Sequence, residues 1–419
     1  MRISRRKSTG GQTLRRAIPL GLVLALAWMG AGCSTIRPRH AVPANKQSRT
    51  EIPGLPGVRA WGDEFSPVFQ QSLVQAFAAA LASSPSAAVE TWDLLAISGG
   101  AGDGAYGAGL LCGWTQAGNR PKFRLVTGIS TGALMAPFAF LGPEYDEELS
   151  ALYTNITSRN IFTFGFLDPL RMFYRDYVAN TRPLRNLAQK HYNREMIEKI
   201  AVEHRQGRRL YVGTTCLDAQ RPVIWDLGAI AASQHPNKVR LFQEIVLASA
   251  AIPVLFPPVY LEVEADGETY DEMHVDGGVI AQVFICGSVL DPADAWREAR
   301  GGGGAPRLRF FVIRNNHLSP DWQEVRPRIT AIAKRALGTL TKAGGAADVD
   351  RIADYARQHN ADFNLAFIPF WKSLDRKEEF DRKFMTELYH DGFQAAKDGY
   401  PWQKDFSYLS PPDADKPEP

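Results

Sequence analysis

Cysteine is scarce in this chain of 419 residues: Cys33, Cys112, Cys216 and Cys286 are the four. They are scattered and none forms a CxxC pair, which excludes a disulfide framework. Charge of one sign is in equally short supply. A formal net charge of +3 over this length is too weak to imply nucleic acid as a partner. The apolar run from residue 17 to 29 is too short to span a bilayer comfortably. No internal repeat is visible. What the chain does have is 45% hydrophobic and 11% aromatic residues, enough for a sizeable buried core and incompatible with a disordered or collagen-like chain.

The positive charge sits at one end. Before Cys33 there are six basic residues, Arg2, Arg5, Arg6, Lys7, Arg15 and Arg16, and no acid. A basic block, an apolar run and small residues in that order read as a secretory signal peptide over residues 1–32. Gly30-Ala31-Gly32-Cys33 resembles the lipobox of bacterial lipoproteins, with Gly30 where those signals usually carry Leu. The resemblance implies acyl chains on Cys33 as a tether to the membrane, and Ser34 fits an outer-membrane destination in the cell envelope. Without the leader the excess of positive charge becomes an excess of negative charge. Residues 33–65, rich in proline and polar residues, read as anchor and linker. A single large domain is expected over 66–405, opening with a helix over 66–82, and 406–419 reads as a polar tail.

Chemistry concentrates in two glycine motifs and one later aspartate. Leu94-Leu95-Ala96-Ile97 reads as a buried strand entering the Gly-rich stretch from Ser98 to Gly109. Such a strand, loop and helix start gathers backbone amides around an anion or an oxyanion. Gly102-x-Gly104-x-x-Gly107 matches a dinucleotide fingerprint. That reading needs an acid about 20 residues on for the ribose hydroxyls. None occurs between Asp103 and Glu144, and Asp103 itself would face the pyrophosphate. The second motif is Gly128-Ile129-Ser130-Thr131-Gly132, a GxSxG between the strand-like Phe123–Val126 and an apolar helical stretch. Strand, sharp turn and helix are what a nucleophile elbow requires.

A serine nucleophile needs a base. Of the eight histidines, His274, His317 and His390 come late enough for the third member of a triad, and His274 stays open on sequence grounds. The better partner is Asp276 in His274-Val275-Asp276-Gly277-Gly278, where a strand ends in an acid followed by two glycines. Apolar neighbours there are expected to raise its pKa and make it a usable proton acceptor. Asp266-Gly267 reads instead as a hairpin turn. The aromatic stretch from Asn160 to Tyr177 suits core packing, an acyl channel or a bilayer surface, and Phe380, Phe384 and Leu388 form a helical core stripe.

Together the Gly-rich loop, the GxSxG, the Asp276-Gly277-Gly278 turn and the segment from Ala248 to Pro258 resemble the patatin-like phospholipases, in order and spacing over about residues 91–290. The resemblance implies a three-layer α/β/α fold with a mostly parallel sheet. It implies a Ser-Asp dyad hydrolysing acyl esters of lipids without metal or cofactor. By position it makes Ser130 the nucleophile, Asp276 the base, and the amides of Gly100, Ala101 and Gly102 the oxyanion hole. The expected partners are membrane lipids or a lipid-ester substrate. Asp103 stands where the family usually carries Arg or Lys, and Ala101 stands for its third glycine. An acid there supplies no positive charge to an anionic headgroup, so lysophospholipids and acylglycerols stand beside phospholipids. Two rival readings remain: an acyltransferase with the same dyad, and a silent lipoprotein that binds lipid or a partner.

Overall fold

The computed structural model describes residues 39–83, 91–163, 179–285, 288–302 and 307–407. The leader, Cys33 and the aromatic positions 164–177 lie outside the described residues. The chain from residue 40 onward is one compact unit built on a nine-stranded sheet.

The strands are β1 (Arg59–Trp61), β2 (Thr91–Ile97), β3 (Leu125–Ile129), β4 (Arg209–Cys216), β5 (Arg221–Asp226), β6 (Val259–Ala265), β7 (Glu268–Asp276), β8 (Arg307–Arg314) and β9 (Asp362–Phe367). Their order is β1-β5-β4-β3-β2-β8-β9, and the β6–β7 hairpin joins through β7 to β4. The five central strands run parallel, from β4 to β9. They are short and apolar because both faces are covered: all of β3 and β4 is buried. The antiparallel additions lie beyond β4.

Helices cover both faces, giving the expected layered α/β architecture with a mostly parallel centre. One apolar cluster packs α2 (Gly104–Gln116) and α3 (Thr131–Leu141) on one face. The other packs α1 (Pro67–Ser83) and the second half of a long helix from Ile329 to Gln358 on the opposite face. In that second cluster Phe77, Trp92 and Trp296 meet ring against ring, so the Ala-rich α1 is held by aromatic contacts rather than by a strong apolar stripe.

Two boundaries differ from the sequence expectation. Residues 40–65 are not a loose linker. Val42, Ile52, Val58 and Trp61 are buried, Glu51 bridges to Glu264, and β1 extends the sheet on β5. Apolar residues spaced between the prolines explain it: they cover the antiparallel end of the sheet. The tail also starts later than residue 406, because Phe406 is buried in the second cluster and Gln403 bridges to Leu365. The Asp266-Gly267 turn closes the β6–β7 hairpin with positive φ at both residues, as a two-residue turn requires. Phe384 and Leu388 are core residues, and His390 is exposed.

Candidate active site

Ser130 follows the last residue of β3 and precedes α3. Its φ of 55° and ψ of −123° lie where a residue with a side chain is strained. The surrounding structure imposes that turn. A Cβ on Gly132 would fall 2.2 Å from the Ile97 carbonyl oxygen, and one on Gly128 would fall 2.4 Å from the Gly132 carbonyl oxygen. The two glycines of the GxSxG are therefore required by backbone packing, and the serine between them is lifted clear of the sheet.

Strand register brings Asp276 to it. β3 ends with Ile129 paired to Gly213 of β4. β4 continues, and its next residue, Thr214, pairs with Asp276 of β7 arriving from the opposite direction. The two side chains meet where β3 stops and β7 begins along one edge of β4. Ser130 Oγ donates to Asp276 Oδ2 at 2.6 Å, and Gly278 N donates to Asp276 Oδ1 at 2.7 Å. Both side chains are buried. Burial raises the Asp276 pKa to about 6, opposed by the hydrogen bonds from Ser130 and Gly278.

The segment ending the helix α4 (Lys238–Ser249) ties both residues down. Ser249 Oγ accepts from Ser130 N at 3.0 Å and donates to Gly213 O at 2.7 Å. Asp276 N donates to Ala251 O at 2.9 Å. Sequence reasoning placed this segment in the motif set without giving Ser249 a role. Its place among small residues, Ala248, Ala250 and Ala251, is the signal in the sequence.

The Gly-rich loop lies directly against the serine, since a Cβ on Gly99 would stand 3.2 Å from that of Ser130. Among the described residues the amides of Gly100, Ala101 and Gly102 donate to no acceptor. Asn315, just past β8, fixes the loop from behind. Its Nδ2 donates to Ser98 O at 3.0 Å, its Oδ1 accepts from Gly107 N at 3.1 Å, and its own amide donates to Ser98 Oγ at 2.8 Å. Sequence reasoning quoted Asn315 only as part of a late motif; nothing in the spacing reveals that it reaches back over 200 residues.

Asp103 is buried beneath this loop and ion-paired with Arg376, which also holds Glu379 at 2.6 Å. Burial raises the Asp103 pKa to about 7, with the Arg376 charge opposing. The acid is thus a structural partner of the segment after β9 rather than a charge facing the site.

His274 stands apart from the dyad. His274 is fully buried, bonded to Thr214 Oγ1 at 3.0 Å and to Glu272 Oε2 at 3.0 Å, with its ring edge-on to Trp225. It makes no hydrogen bond to Ser130. Cys216, Glu272 and His274 place potential ligand atoms within 4.8 Å of one another. Arg59, 2.6 Å from Glu272, already supplies a cation there.

An apolar pocket opens beside the site. Ala101 of the Gly-rich loop and Thr131 of the elbow line its near end, and Leu134, Leu187, Tyr192 and Met385 line the rest. Its lining is predominantly apolar, the character of a site for hydrocarbon. Phe162, partly buried, packs against Phe256 and Phe380.

The site thus brings together a strained serine on a strand–helix elbow, a carboxylate on its hydroxyl and a Gly-rich loop beside them. The family model described as patatin-like phospholipase matches residues 95–285. The span runs from β2 through β7 and holds both Ser130 and Asp276. Among solved structures, VipD from Legionella pneumophila is similar at 14% identity with a TM-score of 0.36, covering 74% of this chain and 67% of that one. No curated protein matches the chain.

Proposed function

We propose that the chain is a lipid acyl hydrolase working through a Ser130–Asp276 dyad. The observation that carries this reading is the 2.6 Å hydrogen bond between the two side chains beneath a loop of free amides. Asp276 takes the Ser130 proton as Oγ attacks the ester carbonyl. The developing oxyanion meets the amides of Gly100, Ala101 and Gly102, each such donor being worth about 3 kcal/mol in the transition state. Collapse releases the alcohol, which receives the proton from Asp276, and leaves the acyl group on Ser130. Water, deprotonated by Asp276, then frees the acid. The pKa of about 6 suits the base: it is ionised at neutral pH and still basic enough to accept a proton. The apolar cavity takes the acyl chain, so esters of long-chain acids are the substrate class. In the same reading the chain is exported and tethered in the cell envelope through Cys33. Among the described residues no helix is long and apolar enough to cross a membrane.

The test is turnover of p-nitrophenyl esters of graded chain length. Wild type is expected to prefer longer chains, with Ser130→Ala and Asp276→Ala at background and His274→Ala active. Equal rates in wild type and Ser130→Ala would refute the reading.

A further inference from the structure

The helix α5 (Ile329–Gln358) is the longest in the described residues, and only its second half is packed. Val349, Ile352, Ala353 and Ala356 are buried against the sheet. It follows β8 and precedes β9, and these two strands are parallel, so the helix runs back from their carboxyl ends to their amino ends. Thirty residues of helix measure about 45 Å. Eight residues of β8 measure about 26 Å. The first turns therefore overshoot the sheet by roughly 20 Å at its carboxyl end. That is the end where Ser130 follows β3.

The overshooting part is apolar on one face and basic on its flanks. Ile329, Ile332, Leu337 and Leu340 are exposed at 87%, 54%, 65% and 70%. With Ala333 and Ala336 they follow i, i+3, i+4, i+7, i+8, i+11 spacing, one stripe of a helix. At 100° per residue, Lys334 and Arg335 fall beyond the two edges of the stripe, and Lys342 on the face opposite. From Val325 to Ala347 there are five basic residues and no acid. Asp321, in the preceding loop, pairs with Arg335 at 3.2 Å and also with Lys342, fixing the loop on the helix. That loop presents Trp322, 89% exposed. The segment after β9, at the same end of the sheet, exposes Phe370 and Trp371.

An apolar stripe with basic flanks and exposed tryptophans matches an anionic bilayer surface. Asp321 offsets part of the charge at Arg335 and Lys342, and Arg326, Arg328 and Lys334 keep the segment net positive, which favours an anionic lipid over a protein groove. We infer that the first half of α5, with Trp322, docks on an anionic phospholipid surface and holds the carboxyl end of the sheet, with Ser130, against the lipid. The assignment rests on the hydrolase reading for its purpose but not for its measurement.

The test uses the full chain with Ser130→Ala, so that vesicles are not consumed, and Cys33→Ser, so that no acyl tether contributes. Binding is measured to vesicles of phosphatidylglycerol with phosphatidylcholine, and of phosphatidylcholine alone. The triple variant Ile332→Asp, Leu337→Asp, Leu340→Asp is expected to bind the anionic vesicles at least tenfold more weakly, with unchanged circular dichroism. Arg328→Glu with Lys334→Glu is expected to weaken anionic binding and remove its salt dependence. Independently, a polarity-sensitive dye on Leu337→Cys, in a chain also carrying Cys286→Ser, is expected to shift to the blue with anionic vesicles only. With Ser130 intact, the triple variant should hydrolyse a soluble short-chain ester at the parent's rate. Undiminished vesicle binding by the triple variant with no dye shift would overturn the inference. So would a change of oligomeric state in the triple variant with vesicle binding intact, which would assign the stripe to a second copy of the chain. Vesicle docking without hydrolysis of any ester would sink the hydrolase reading and leave the docking surface standing.

Discussion

The hydroxyl of Ser249 accepts the backbone amide of Ser130 at 3.0 Å while donating to Gly213 O at 2.7 Å. One buried side chain thereby joins the strained elbow to the strand that sets its register. Ser249→Ala leaves a buried amide without its acceptor, a cost of about 1–3 kcal/mol. The substitution is expected to lower kcat about tenfold or more with little change in KM, because it loosens the nucleophile and leaves the cavity intact. Ser249→Thr, which keeps the hydroxyl, is expected to recover part of the loss. An unchanged kcat in Ser249→Ala would show that the elbow holds its shape unaided.

Activity should follow the ionisation of Asp276. Only the carboxylate can accept the Ser130 proton, so kcat/KM on a neutral ester is expected to rise with pH through about 6 and then level off. Stability runs the other way. A carboxyl whose folded pKa lies above its unfolded value contributes least once pH has risen through the folded pKa. Asp276→Asn is expected to abolish turnover by at least about 10³-fold while leaving Tm at pH 8 equal to or above that of wild type. A fall in Tm would mean that the charge itself holds the turn.

Asp103 is buried and depends on the half-buried Arg376 as its ion-pair partner, so removing the arginine strands the acid. Arg376→Ala is expected to destabilise the fold by about 3 kcal/mol. The loss should be greater at pH 8 than at pH 5. The Asp103 pKa is already raised to about 7, and without Arg376 it rises further, so the ionised form present at high pH is the costly one. Denaturant midpoints at the two pH values check the sign. Asp103→Asn with Arg376→Gln is expected to recover much of the stability.

The cavity should set chain-length preference. Ala188 lines it and is buried, so Ala188→Trp is expected to fill the space. Rates on long-chain p-nitrophenyl esters should fall at least tenfold, while short-chain esters are nearly unaffected. A uniform fall across chain lengths would place the acyl chain elsewhere.

Much of the site could be read directly from the sequence because it is local. The GxSxG, the Gly-rich loop and the Asp276-Gly277-Gly278 turn each carry their geometry in a few adjacent residues, and buried strands such as β2 announce themselves by apolar runs. What the sequence did not disclose depends on distant pairing. The contact of Asn315 with Ser98 and Gly107, the pairing of Asp103 with Arg376, and the bonding of His274 to Thr214 and Glu272 all depend on how distant segments are brought together, which no local pattern specifies. The segment over residues 40–61 was obscured for another reason: its prolines suggest a loose chain, yet four well-spaced apolar residues suffice to fasten it. The first half of α5 escaped notice because its alanines and threonines dilute an apolar stripe that is plain only once its exposure is known.

The meeting of β3 and β7 along β4 makes that strand a ruler for the chemistry. The separation of nucleophile and base is counted in strand residues, from Gly213 to Thr214, and not in the length of any loop. Loops on the way from Ser130 to Asp276 can therefore lengthen, shorten or change sequence without disturbing the pair. A single residue inserted within β4 at that step would part it.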